Sequence, residues 1–572
     1  LNFPKLVEQL SVTHSAPGTS APYMASRIIA IVVLLASVLY AAPPEAPTGL
    51  EASDGFFRDR TSLSWDHSAG ATSYRIFRSS VNDPATAQSI GITEGLTFSD
   101  PSFGEAFFYW VRAEGPGGIS PLSASDRGSG PPAGFPVIQF ATVGVSTLPP
   151  VPTPGPNQTT GARVYLGKTL FWDEQLSSTR TTSCGTCHRF RAGGADPRSA
   201  SDVARSINPG KDGVFGTADD AAGSIGVPLT AADGSYKWEL SFGLREQVTP
   251  RRANSVLDSA FANTGVLWDG KPGSQFNNPE TGAPIFVGLA SLEAQALLPF
   301  LNPVEMGHEG RTVADVVARL SSVRPLALAQ SVPAPLARWI GNRTYGELFE
   351  EAFGTSQITP ERIARALSSY ERTLISDRVA SEIVLRPQAL LAGMNILGQN
   401  TCTGCHSPTL GGFFVTGVRP PSEDLGRGAI TNRVQEAGSF KAPSLRGVTL
   451  RNGLFHNGKA SINDVIEFYN RGGDFKESTG FNTLVRELNL TYQNKLDVAT
   501  ALRYGFTDAR VAEEAGPIFD RPVLYSESAR VPALTGNGRA AVNGTVPEII
   551  AIEPPFAGHQ RFTIALSGIA PG

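Results

Sequence analysis

Two hydrophobic patterns divide this chain. Between residues 62 and 113, apolar and polar positions alternate in short runs: Ser62-Leu63-Ser64-Trp65, Ser73-Tyr74-Arg75-Ile76-Phe77-Arg78 and Phe107-Phe108-Tyr109-Trp110-Val111-Arg112-Ala113. A period of two puts every second side chain on one face, so these runs predict half-buried strands. The turn residues between them predict a small β-sandwich. Further along the spacing becomes helical. Thr359-Pro360-Glu361 supplies an N-cap, a proline at the first helical position and an acid in the first turn, and Ile363, Leu367, Tyr370 and Leu374 follow at helical spacing. Ser461 with Asp464 predicts a second cap, ahead of Ile462, Val465, Ile466 and Tyr469 on a shared face.

A third pattern lies near the start. The apolar run from Ile28 to Ala42 is broken only by Ser37 and preceded by Arg27. It is shorter than the ~18–20 apolar residues of a membrane span. With small residues near Ala41 it predicts a secretory signal peptide at 24–41, and hence a periplasmic or secreted protein with no membrane span once the signal is removed. The first methionine is Met24, so residues 1–23 are expected to be an upstream mis-start. The chain has 572 residues, with 60 Gly and 43 Pro, which implies several turn-rich domains. Its 48 basic and 52 acidic residues are nearly balanced, and nothing in them points to nucleic acid. The expected order is a sandwich at 44–126, a Pro/Gly-rich linker at 127–156, helical units at 157–385 and 386–525, and a C-terminal extension at 526–572. That extension holds the strand-like Arg561-Phe-Thr-Ile-Ala-Leu566 and has no assigned role. The opening Pro47-Thr-Gly-Leu50, Trp65, Tyr74 and the ending Ala113-Glu-Gly-Pro-Gly-Gly-Ile-Ser120 resemble a fibronectin type III module. No catalytic constellation falls there, and His67 reads as a surface residue.

The chemistry is carried by the cysteines. Cys184-Gly-Thr-Cys187-His188 and Cys402-Thr-Gly-Cys405-His406 use all four in the chain. Cys-x-x-Cys-His is the attachment signature of c-type haem: each thiol adds across a porphyrin vinyl group, and the adjacent imidazole ligates the iron. Two such haems make His188 and His406 the proximal ligands. A zinc site of four thiolates or a pair of disulfides would also balance the count. Neither calls for a histidine after each pair. The motifs lie 218 residues apart, room for one haem domain each.

Around these motifs the chain resembles the bacterial di-haem cytochrome c peroxidase/MauG family over roughly residues 160–525. The resemblance rests on Leu166-Gly-Lys-Thr-Leu-Phe-Trp-Asp173, Gly193-Gly194-Ala-Asp196, Leu267-Trp268-Asp269-Gly270-Lys271, Leu292-Glu-Ala-Gln295 and Asn302-Pro303-Val-Glu305-Met306. Asp424-Leu-Gly-Arg427, Phe440-Lys-Ala-Pro443-Ser-Leu-Arg446 and Phe455-His456-Asn-Gly458 continue it. It implies two mainly α-helical cytochrome c-like haem domains, the first reacting with hydrogen peroxide and the second relaying electrons. Glu305 and Gln295 match the family's distal acid and amide, Pro299 its distal proline and Trp268 its bridging tryptophan. Classical members block the first iron with a histidine shortly after the first motif. Here none occurs between His188 and His308, which implies an open site, with His308 the one residue that could close it. Tyr469 stands where many relatives place a methionine on the second iron, and an anionic oxygen ligand suits ferric iron. The family also binds calcium between the haems. Asp258 and the carbonyls of Arg451 and Gly453 hold the matching positions. The acidic turn Asp212-Gly-Val-Phe-Gly-Thr-Ala-Asp219-Asp220 is a second calcium candidate.

Three functions fit. One is peroxide reduction with a small cytochrome c or cupredoxin as donor. Another is MauG-like oxidation of a protein side chain or other external substrate. The last is a non-catalytic di-haem electron carrier.

Overall fold

The computed structural model describes residues 42–129 and 148–527, except 53–60, 66–67, 69, 94–96, 101–105, 200–203, 263–264, 280, 380–387, 401, 410–413, 416–419 and 476–484, together with the strands at 548–551 and 564–567. The expected signal segment at 24–41, the residues before it, His67 and the middle of the linker lie outside the described residues.

Alternation builds the N-terminal module. Its strands are β1 (Glu51–Ala52), β2 (Thr61–Ser64), β3 (Ser73–Ser79), β4 (Gln88–Thr93), β5 (Thr97–Asp100), β6 (Ala106–Gly115), β7 (Gly118–Leu122) and β8 (Asp126–Ser129). One antiparallel sheet runs β1-β2-β5 and the other β4-β3-β6-β7, with β8 also on β6. These two antiparallel sheets are the arrangement that the predicted sandwich requires. The register pairs Tyr74 with Ala113 and Ile76 with Val111. All four are buried and meet Leu63 and Trp65 of the facing sheet. Each large side chain so buried contributes about 1.5–3 kcal/mol. Buried Asp100 is satisfied by Arg78 (2.6 and 2.7 Å) and by the Tyr109 hydroxyl (2.9 Å).

Beyond the linker the regular elements are mostly helices, joined by long irregular segments. The helix Pro360–Glu371 starts where the cap predicts, with the Thr359 hydroxyl accepting from the Arg362 N–H at 3.2 Å. Ile363, Leu367 and Tyr370 are buried on its inner face, and Leu374 is buried in the turn that follows. This helix lies against Gly161–Phe171, in which a Cβ at Gly167 would sit 2.0 Å from the Ala366 carbonyl. Only glycine permits that approach. A second apolar cluster gathers Leu397, Val448, Ile466, Val498 and Leu502, from the helices Gln388–Gln399, Ile462–Asn470 and Tyr492–Thr500 and the segments between and after them.

Residues 508–527 follow the second unit in sequence, yet Val511, Phe519 and Leu524 belong to the core of the first. Ion pairs fasten this strap. Arg521 holds Glu514 (2.6 Å) and Glu527 (2.8 Å), Arg189 holds Glu514 (3.1 Å) and Glu527, and Lys168 holds Asp520. Farther on, Glu548–Ala551 pairs antiparallel with Ile564–Ser567, so the strand expected at 561–566 is described from Ile564. Among the described residues no helix is long and apolar enough to cross a membrane.

Candidate functional site

Both Cys-x-x-Cys-His motifs fold as one helical turn, Cys184–Cys187 and Cys402–Cys405. In the first, the Thr186 hydroxyl accepts from the Ser183 N–H (2.9 Å), and the His188 N–H donates to the Cys184 carbonyl (3.1 Å). His188 Nδ1 lies 3.2 Å from the Gly194 carbonyl and His406 Nδ1 2.7 Å from the Pro443 carbonyl. A carbonyl can only accept, so each Nδ1 carries the proton and each Nε2 keeps its lone pair for a metal. Burial lowers both imidazole pKa values, which keeps the rings neutral as ligation requires.

The two motifs open on different cavities. Cys184, Cys187 and His188 line one of about 560 Å³; Cys402, Cys405 and His406 line another of about 230 Å³. All four cysteines are free thiols, and among the described residues no three His, Cys, Asp or Glu side chains cluster as a metal site. Because the two pairs line separate cavities, one zinc shared by all four thiolates is disfavoured. Each cavity instead has what one covalent c-type haem needs: two thiols one turn apart and an oriented imidazole.

The larger cavity brings together His188, Gln295, Pro299, Glu305, Met306 and Trp268. Glu305 follows the short helix Leu298–Leu301, and the Asn302 amide donates to its Oε1 at 2.9 Å. Burial raises the Glu305 carboxyl pKa, tempered by that hydrogen bond. His308 is not among the residues lining this cavity, and its Nδ1 lies 2.9 Å from the Glu309 carbonyl.

In the smaller cavity, Tyr469 Oη stands 3.2 Å from His406 Nε2, with the two rings nearly perpendicular at 86°. The Ser461 cap forms as expected, accepting from the Asp464 N–H at 3.2 Å. It starts the helix Ile462–Asn470, and Ile462, Val465, Ile466 and Tyr469 all line the cavity. Burial pushes the Tyr469 phenol pKa upward. Trp268 lines both cavities, and its Nε1 donates to the Arg252 carbonyl at 2.8 Å.

Asp258, Arg451 and Gly453 meet at the smaller cavity. Asp258 is in the left-handed region (φ 59°), and its Oδ1 accepts from the Ser376 N–H at 2.9 Å. Its buried Oδ2 has no hydrogen-bond partner, and burial, countered by Arg446, pushes the carboxyl pKa up to about 6. That oxygen fits a hard cation. The Gly453 carbonyl, by contrast, already accepts from the Arg252 guanidinium. In the turn 212–220 the carboxylates serve the loop itself: Asp219 accepts from the Lys211 N–H (2.6 Å) and Asp220 from the Gly216 N–H (2.7 Å).

Sequence reasoning passed over three side chains at these cavities. His456 lines both and stacks on Phe440 with ring centroids 3.6 Å apart. Glu371 lines the larger one, and burial pushes its carboxyl pKa up to about 8. Lys441 lines the smaller one, donates to the Val266 carbonyl at 2.7 Å and is pushed down to about 8 by burial. His456 and Lys441 stand inside motifs quoted above; Glu371 carries no signal beyond its place in a capped helix.

Comparison with known proteins agrees with this geometry. Residues 161–386 match the model of the di-haem cytochrome c peroxidase family. The chain is 28% identical over 348 residues to the methylamine utilization protein MauG of Methylophilus methylotrophus, covering 57% of this chain and 78% of that protein. To the cytochrome c551 peroxidase of Nitrosomonas europaea it is 27% identical over 320 residues, covering 54% and 72%. A solved MauG-like protein associated with microbial copper homeostasis aligns with a TM-score of 0.45 and 22% identity, covering 66% of this chain and 99% of that one. Two motifs set in separate cavities, the family match over residues 161–386 and relatives of both names support the di-haem cytochrome c peroxidase/MauG family for this part of the chain, and with it a peroxidase-like oxidoreductase at family level.

Proposed function

We propose that this protein reacts with hydrogen peroxide at a haem held by Cys184, Cys187 and His188, and relays electrons through a second haem held by Cys402, Cys405, His406 and Tyr469. The observation that supports it best is the asymmetry of the cavities. A half-buried carboxyl and an amide share the cavity of His188; facing His406 Nε2 is the Tyr469 oxygen. When bound, the haems supply the redox-active iron and the oxygen–oxygen cleavage chemistry.

The chain's own residues do the rest. Glu305, whose carboxylate burial makes a stronger base, takes a proton from one peroxide oxygen and returns it to the other. Asn302 orients it, and Gln295 hydrogen-bonds the substrate. Trp268, on the wall of both cavities, passes electrons between them. Calcium, when bound, would be held by Asp258 Oδ2 and the Arg451 carbonyl, with the Gly453 carbonyl joining only on release of the Arg252 guanidinium. The donor is a small cytochrome c or cupredoxin, met after export to the periplasm or beyond.

A second reading is oxidation of a protein side chain in the manner of MauG. Tyr469 favours it, because an oxygen ligand lowers the potential of the second iron. EPR and optical spectra of the purified ferric protein, before and after peroxide, test both readings. A high-spin signal from one haem and a rapid response to peroxide are expected. Two low-spin haems indifferent to peroxide would leave only an electron carrier.

A further inference from the structure

Two tryptophans border the first centre, and their surroundings differ. Trp268 faces the second cavity, and its ring partner is His456 at 6.5 Å. Trp172 is buried against the attachment helix itself, since a Cβ on Gly185 would lie 2.2 Å from its ring. Phe171, on the cavity wall, links His188 (6.4 Å) to Trp172 (5.6 Å) and Tyr370 (5.5 Å). By proximity alone, Trp172 should lose electrons to the first centre as readily as Trp268.

Proton transfer does not separate the two. Trp172 Nε1 donates to Tyr370 Oη at 3.3 Å, and Tyr370 passes its own proton to nothing more basic than the Ile518 carbonyl (3.3 Å). Trp268 Nε1 donates to a carbonyl as well. Neither indole has a base, so loss of one electron leaves the positive charge on the ring. What differs is the charge above it. The Arg521 guanidinium lies 5.5 Å from the Trp172 ring centroid, whereas among the described residues none is stacked over Trp268. Glu514 and Glu527 bind Arg521 and also Arg189, so these four charges balance. The placement of the guanidinium over the ring is therefore what acts on Trp172.

We propose that Arg521 is a specificity-determining residue of the C-terminal strap. It disfavours removal of an electron from Trp172, so that electrons drawn by the first centre come through Trp268. This rests on the peroxide-reactive reading. Over-oxidation follows a balanced course: an indole and hydrogen peroxide give a hydroxyindole and water, two electrons passing from the ring to the peroxide.

The test treats the holoprotein with excess peroxide and no donor, and maps the gain of one oxygen on the Trp172 and Trp268 peptides by mass spectrometry. In the wild type most of the gain is expected at Trp268. Arg521→Gln should raise oxidation at Trp172 roughly tenfold, while Arg521→Lys, which keeps the charge, should resemble wild type. A photogenerated ruthenium(III) oxidant in place of peroxide should give the same ranking without haem turnover. Equal oxidation of both tryptophans in the wild type overturns the proposal without any variant. Equal Trp172 oxidation in wild type and Arg521→Gln, or identical behaviour of the Lys and Gln variants, overturns it too. Indifference to peroxide with the photochemical ranking intact would sink the peroxide reading and leave the control by Arg521 standing.

Discussion

The two attachment helices are almost the same local structure, each a single turn ending in a histidine whose Nδ1 is tied to a carbonyl. What they face is not the same. His188 opens on a cavity that holds Glu305 and Gln295, while His406 Nε2 looks directly at a phenol oxygen 3.2 Å away. On the proposed reading, a motif of five residues sets attachment and proximal ligation, and residues 63 to 117 positions distant set reactivity. Coordination at the sixth position separates a centre that binds substrate from one that relays electrons.

The largest effect that could break this comparison is on attachment. Replacing Cys184 and Cys187 by Ala should leave one covalent haem, and replacing all four cysteines none, as read by haem staining and pyridine haemochrome spectra. Stoichiometric zinc in haem-free protein would sink the premise. Next comes the first cavity. Glu305→Gln should keep both haems yet slow the reaction with peroxide by ~10²–10⁴-fold, the usual contribution of a general acid–base group. Stopped-flow rates equal to wild type would remove Glu305 from the mechanism.

A smaller change should appear at the second cavity. Tyr469→Met or Tyr469→His should leave that haem six-coordinate, alter its spectrum and raise its reduction potential, since phenolate favours ferric iron. Peroxide binding in the other cavity should survive. An unchanged spectrum and potential would make Tyr469 a packing residue, and the two cavities would then differ less than their geometry implies.

The smallest effect concerns Asp258 at the seam. Its carboxyl binds a proton more tightly in the folded state (pKa about 6) than in the unfolded chain (3.8). The folded state therefore holds the extra proton between about pH 4 and 6, and stability should fall as pH rises through that window, by about 3 kcal/mol at most. Melting curves in a calcium chelator should show this slope. Added calcium or Asp258→Asn should flatten it; a slope unaffected by either would remove Asp258 from the account.

Local rules made much of the molecule legible. Alternation gave the inner face of β3 and β6, because side chains on a strand point to opposite sides whatever surrounds them. Thr359 and Ser461 marked helix starts, because a cap satisfies the orphan N–H groups of its own first turn. The lack of a histidine between His188 and His308 was readable directly, and the fold keeps His308 off the wall of the His188 cavity.

Other features depended on residues far apart in the chain. The strap 508–527 returns to the first core, and nothing in its sequence says that Phe519 will meet Phe190 edge to face, 5.4 Å between centroids. Lys441 looked like an ordinary basic residue of a motif until the fold buried its ammonium on backbone carbonyls. The sequence by itself determined where the two Cys-x-x-Cys-His turns lie, which imidazole follows each and where the main elements begin, since each depends on covalent spacing or on contacts within one turn. The tertiary structure alone decided what stands across each cavity, that Trp268 borders both and that Arg521 covers Trp172, since charge, burial and distance between remote residues exist only once the chain has closed on itself.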